Sequence, residues 1–217
     1  MINLFEISIN MLEEFIMLLC LTLYLGCRYD GIKRILGFLV SYAVSFCIIT
    51  WMNSIYVYEG FLGLIFIGLY FLYALIFLKG DIYNKLFISG FINCVVYFIA
   101  LCSTLCLSIL LGDHFEKLYS MSYERIITVI IGKIVLIIAC VFMLKYRFSY
   151  VGKRSNMILL ICMPIIAVLS MVGIMQVFLK YNEAKAELLL ATVGIMLVNI
   201  LTYYIFVKIN KDVERET

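Results

Sequence analysis

Hydrophobic residues run along this chain in long, nearly unbroken stretches, and polar residues gather in short clusters between them. A helix that crosses a bilayer needs about 20 mainly apolar residues. Seven stretches meet that requirement: Leu4–Gly26, Ile35–Ile55, Phe61–Leu78, Leu86–Leu111, Ile126–Leu144, Met157–Leu179 and Leu188–Val207. The pattern therefore predicts an all-α bundle of seven transmembrane helices filling residues 1–207, with residues 208–217 beginning a cytoplasmic output helix.

Composition agrees. Of the 217 residues 65% are hydrophobic and 14% charged, against roughly 45–50% and about 25% in soluble domains. So little polar surface suits lipid as the solvent. No basic region precedes the first apolar run and no small-x-small site follows it, so the first helix is expected to stay in place.

Charge sets the expected orientation. The joints after the first, third, fifth and seventh stretches hold 12 Lys and Arg, the other joints hold 4, and Lys133 lies inside the fifth stretch. Basic joints remain on the cytoplasmic side. That places the N-terminus outside and the C-terminus in the cytoplasm, which an odd number of spans requires. Trp51, Tyr56 and Tyr58 at an outer boundary, and Tyr146 and Tyr150 at an inner one, sit where amphipathic rings favour the headgroup level.

Polar residues inside the spans are the candidates for chemistry. Asn3, Glu6, Asn10 and Glu13 step by three, four and three along the first helix, which lines them on one face. A carboxylate deep in a bilayer costs several kcal/mol unless it is paired, protonated or hydrated, so this face should meet the bundle or a wet outer cavity. The alternative is that residues 1–14 lie along the surface as an interfacial helix. Lys133 is the one basic residue well inside a span, at a depth similar to that of Glu13 and Glu14. A buried pair between one of these glutamates and Lys133 is one expectation; a snorkelling lysine with wet glutamates is the other.

Asn93 and Asn199 are candidate interhelical hydrogen-bonders, worth roughly 0.6–2 kcal/mol each. Pro164 removes a backbone donor inside the sixth helix and predicts a kink. The longest outer joint, Gly112–Arg125, gathers His114, Phe115, Tyr119 and Tyr123 with mixed charge, a loop suited to recognising a peptide or a small amphiphile. With Asn3, Glu6, Asn10 and Glu13 it forms the candidate ligand-binding set.

Other chemistry is not signalled. The eight cysteines form no CxxC pair, all but Cys27 lie in hydrophobic runs, and the expectation is small buried apolar side chains. The lone His114 has no ligand-spaced partners, so no metal and no cofactor is expected. The sequence contains no HExxH, GxSxG, Walker A or GxGxxG. Glu13-Glu14 is followed at position 18 by Leu, where an intramembrane prenyl-protein-type peptidase would have Arg, and His114 is external by the charge count. The net charge of +3 gives no footing for nucleic acid.

Three stretches resemble the transmembrane input region of quorum-sensing histidine kinases of the accessory-gene-regulator type, whose kinase part is of the GHKL class. Met157–Met171, MILLICMPIIAVLSM, is similar to a helix with a central Pro followed by Ser. Asn199–Lys211, NILTYYIFVKINK, resembles a last span with an Asn, a Tyr pair and a basic exit. Asp212–Thr217, DVERET, resembles the first turn of the charged helix leading to the kinase. The resemblance implies detection of an extracellular peptide at a bacterial plasma membrane, output through the seventh helix, and a homodimer. These 217 residues include neither that family's phosphoacceptor histidine nor its nucleotide motifs, so the chain as given is expected to bind and not to phosphorylate. The alternative reading is a small transporter subunit, a permease or substrate-capture component.

Overall fold

The computed structural model describes residues 4–54, 59–111, 123–145, 154–181 and 185–216, and these form seven α-helices. They are α1 (Leu4–Leu25), α2 (Ile32–Ser54), α3 (Glu59–Phe77), α4 (Ile82–Leu111), α5 (Tyr123–Lys145), α6 (Arg154–Tyr181) and α7 (Lys185–Glu216). No strand occurs among the described residues; one isolated antiparallel bridge joins Cys27 and Leu78. Six helices are long and apolar enough to cross a membrane, while α3 offers the shorter apolar segment Gly63–Phe77. The chain reads as a multi-pass membrane protein on that length and composition.

Each helix matches a hydrophobic stretch, but most begin a few residues before it. Hydropathy marks where lipid begins; a helix keeps its backbone hydrogen bonds through a polar turn beyond that point. Pro164 does not end α6. It withholds the N–H that the Leu160 carbonyl would accept, and the helix runs on at both sides. The largest extension is α7, whose 32 residues span about 48 Å at 1.5 Å per residue.

The helices belong to two compact units, residues 1–92 with 140–150, and residues 93–139 with 151–217. In the first, α1, α2 and α3 pack on one another. Met17, Leu18, Leu21, Tyr24 and Leu25 give α1 a buried stripe at helical spacing. The joints after α1 and α3 are tied together: Arg28 N donates to the Phe77 carbonyl at 2.8 Å and Lys79 N to the Gly26 carbonyl at 2.8 Å. Gly26 and Gly80 adopt φ of 77° and 103°, left-handed values that let the chain leave each helix without a Cβ penalty. The tie brings the C-terminal ends of α1 and α3 together.

Gly37 is another fixed point of this unit. A Cβ there would lie 2.5 Å from the Phe77 ring, and that ring is held by Tyr29 and Tyr73. Gly37→Val should destabilise the unit by about 1–3 kcal/mol through overpacking, measured by reversible unfolding in bicelles. Gly68→Ala is the control: its Cβ would meet nothing within 4 Å, so little change is expected.

In the second unit α6 packs on α7. Ala167, Val168, Met171 and Val172 are buried on α6, and Thr192, Met196 and Asn199 on α7. The Lys185 ammonium, at the start of α7, donates to the Ser108 carbonyl near the end of α4 at 3.5 Å, a long bond placed where a cation suits a helix C-terminus. On α5 the exposed residues from Ile130 to Ile138 are Ile130, Ile131, Ile134, Val135, Ile137 and Ile138. An apolar face of this extent fits hydrocarbon, not water.

Candidate functional sites

The first site grows from the polar stripe of α1. The helix runs unbroken through Glu13 and Glu14, so stripe and span are one element. Asn10 and Glu13 are half-buried, and Glu14, beside them, is 3% exposed. The Tyr70 hydroxyl of α3, itself 4% exposed, donates to Glu14 Oε1 at 2.7 Å. Glu14 Oε2 has no hydrogen-bond partner among the described residues. Two turns further along α1, Thr22 Oγ1 donates to the Leu18 carbonyl at 2.6 Å. Its proton being committed, the Tyr73 hydroxyl is the donor in the 2.6 Å contact with Thr22. A third tyrosine, Tyr42 of α2, donates to the Met11 carbonyl at 3.2 Å. Tyrosine hydroxyls thus give polar atoms of α1 their partners on α2 and α3, which low dielectric makes valuable. The spacing of α1 pointed to the glutamates; nothing in spacing pointed to Tyr70, whose position amid apolar neighbours was the one available signal.

The second site lies between α4 and α5. Ser103 and Gly132 meet closely: a Cβ on Gly132 would stand 3.4 Å from Ser103 Oγ and 4.0 Å from Ile99. On one flank of this seam is a cleft of about 140 Å³. Among the described residues its polar lining is Ser103, Thr104, Thr128 and Lys133, and Val96, Ile99, Val129 and Leu136 supply apolar wall. Ser103 Oγ donates to the Ile99 carbonyl at 2.7 Å and Thr104 Oγ1 to the Ala100 carbonyl at 2.9 Å. These two hydroxyls therefore offer the cleft lone pairs, while Lys133 brings N–H donors and positive charge. On the other flank a cleft of about 490 Å³ is lined chiefly by apolar side chains, with Cys102, Cys106, Leu110 and Ile131 among them.

The remaining candidates are distributed as follows. Asn3, His114, Phe115 and Tyr119 lie outside the described residues, and Glu6 is described only as part of α1. Tyr123 opens α5 and is 85% exposed. Asn93 is buried on α4. Asn199 is buried on α7, and its amide donates to the Ile195 carbonyl at 2.9 Å within its own helix. Pro164 is buried on α6.

The cysteines need a correction. All eight are free thiols, but Cys47, Cys106 and Cys162 are exposed on their helices, not buried. A small apolar thiol is as acceptable against lipid as in a core. Cys20 of α1 and Cys140 of α5, both buried, share a hydrogen bond. No group of three or more metal-ligating side chains occurs among the described residues.

No protein-family model, no curated protein and no solved structure matches the chain.

Proposed function

We propose that the chain is the membrane-embedded signal-input region of a two-component sensor histidine kinase resembling the accessory-gene-regulator type. In this reading it sits in a bacterial plasma membrane with its N-terminus outside, detects an extracellular peptide and works as a homodimer. The observation that carries the proposal is the length of α7. A bilayer core about 30 Å thick takes up roughly 20 residues, and α7 has 32. The surplus follows Ile205 and holds Lys208, Lys211, Asp212, Glu214, Arg215 and Glu216. One rigid rod thus leads from the span into water, and a rod moved at one end moves at the other. Pro164 supplies an adjustable element on the helix packed against it.

Two measurements test the reading. A chain keeping only Cys27, in the basic joint after α1, should react with a membrane-impermeant maleimide only after the cells are opened; labelling of intact cells would reverse the orientation. A fusion through Glu216 to the catalytic region of a histidine kinase should respond to changes within the bundle. Pro164→Ala, which restores the missing N–H, is expected to shift its autophosphorylation about fivefold or more. A rate indifferent to bundle substitutions would overturn the input role.

A further inference from the structure

The tied joints of the first unit gather positive charge in one place. The bridge between Cys27 and Leu78, with Arg28 N on the Phe77 carbonyl and Lys79 N on the Gly26 carbonyl, sets Arg28 and Lys79 on one short backbone ladder. Lys85 follows in the first turn of α4, its N–H on the Asp81 carbonyl at 3.1 Å. Residues 28–34 and 79–85 hold five Lys and Arg against Asp30 and Asp81, a net charge of +3 that equals the net charge of the whole chain. Arg28, Lys33, Arg34 and Lys79 are exposed, but Lys85 is 3% exposed. Two charges act on Lys85: Arg28 repels it, and Asp81 attracts it less strongly. A covered ammonium whose strongest charged neighbour is another cation is short of negative charge. Apolar surface reaches the same level. Ile32 and Ile82, the first residues of α2 and α4, are exposed, as are Ile35 and Leu36. Basic groups beside exposed isoleucines mark the boundary between hydrocarbon and headgroups.

We propose that this joint binds the headgroup phosphate of an anionic phospholipid. The Arg28 guanidinium and the Lys85 ammonium donate charge-assisted hydrogen bonds to the phosphate oxygens, and Lys79 adds charge from the other side of the ladder. The first turn of α4 holds no acidic residue, so the positive end of that helix adds to the field. The acyl chains lie along the exposed apolar residues that open α2. The ladder and the left-handed Gly26 and Gly80 fix the backbone in advance, so little ordering is spent on binding. Basic groups between helices at a membrane surface are suited to anionic headgroups in this way. A zwitterionic headgroup brings its own cation into a region of net +3, so it binds less well. A free phosphate has no chains to set against Ile32 and Ile35, so the amphiphile is preferred. That the site faces the inner leaflet rests on the orientation proposed above; that it binds the headgroup does not.

The test is native mass spectrometry of the full chain in mild detergent, titrated with dioleoylphosphatidylglycerol and, separately, with dioleoylphosphatidylcholine. The anionic lipid is expected to bind at least tenfold more tightly. Lys85→Met should abolish most of that preference. So should Arg28→Gln/Lys79→Gln, which changes two exposed side chains and keeps the backbone N–H groups of the tie, and which therefore serves if Lys85→Met does not fold. Thermal unfolding in phosphatidylcholine checks both. Arg125→Gln/Lys208→Gln removes two positive charges away from the joint and should leave the preference intact. Equal affinity for the two lipids overturns the proposal, as does a preference kept by folded Arg28→Gln/Lys79→Gln. A loss as large in Arg125→Gln/Lys208→Gln would trace the preference to net charge and overturn the site. Inorganic phosphate that displaces phosphatidylglycerol at equal concentration assigns the joint to a soluble anion and overturns the lipid. Labelling of Cys27 in intact cells would turn the site to the outer leaflet and leave the binding standing.

Discussion

Tyr70→Phe should destabilise the first unit by about 2–3 kcal/mol, the cost of taking a hydrogen bond from a buried carboxyl group. The Tyr70 hydroxyl is the donor to Glu14 Oε1, and Oε2 already has no partner among the described residues. The variant keeps the ring and its packing, so the loss reports the missing donor and not a cavity. Glu14→Leu acts differently: it removes the group that is costly to bury and leaves a hydroxyl that can turn to another acceptor. The double variant Glu14→Leu/Tyr70→Phe replaces both polar partners with apolar ones of similar size, a change often neutral or stabilising. Equilibrium unfolding of the four chains in bicelles gives the coupling. The double variant should recover most of what Tyr70→Phe loses. Losses that simply add would show that the 2.7 Å contact is not an energetic unit.

How far this pair was legible in the sequence depends on which half is considered. Glu13 and Glu14 announce themselves because carboxylates inside an apolar run are expensive. The expectation joined one of them to Lys133, the only charge of opposite sign deep in a span. The structure gives Glu14 a neutral donor 56 residues away, the Tyr70 hydroxyl. Periodicity describes one helix at a time and carries nothing about which helix comes next to it. Tyr70 could only be read as one aromatic among many.

The elements themselves were legible for the complementary reason. A lipid-facing helix must be apolar along most of its length, so each hydrophobic stretch found its helix. The errors fall where hydropathy and hydrogen bonding part company. Lys185 and Glu187 precede the predicted seventh stretch yet belong to α7, and the charged residues after Val207 end the span without ending the helix. The α4–α5 cleft was not legible. It depends on Gly132 letting two helices approach at Ser103, and nothing in the sequence marks one of 13 glycines or one serine as the point of contact.

The continuity of α7 leads to the second large effect. If the helix transmits rotation or tilt to a catalytic region, the output depends on the angular phase between bundle and kinase. Each inserted residue turns the distal part by about 100° and moves it by 1.5 Å. In fusions made through Glu216, one to seven alanines added at the junction sample the full circle, and alanine keeps the rod helical. Two added residues rotate the kinase by about 200° and seven by about 700°, within roughly 20° of the starting phase. Autophosphorylation should therefore fall or rise by at least about tenfold at two insertions and return toward the parent value at seven. Phosphate incorporation by the purified fusions in vesicles reads the series directly. A helix that only anchors the chain would give a flat series, because an anchor has no preferred angle. Insertion of two glycines at the same junction sets the reference for an uncoupled rod. A periodic alanine series, with the two-glycine insertion failing to reproduce the two-alanine effect, separates transmission through a stiff α7 from a mere change of distance.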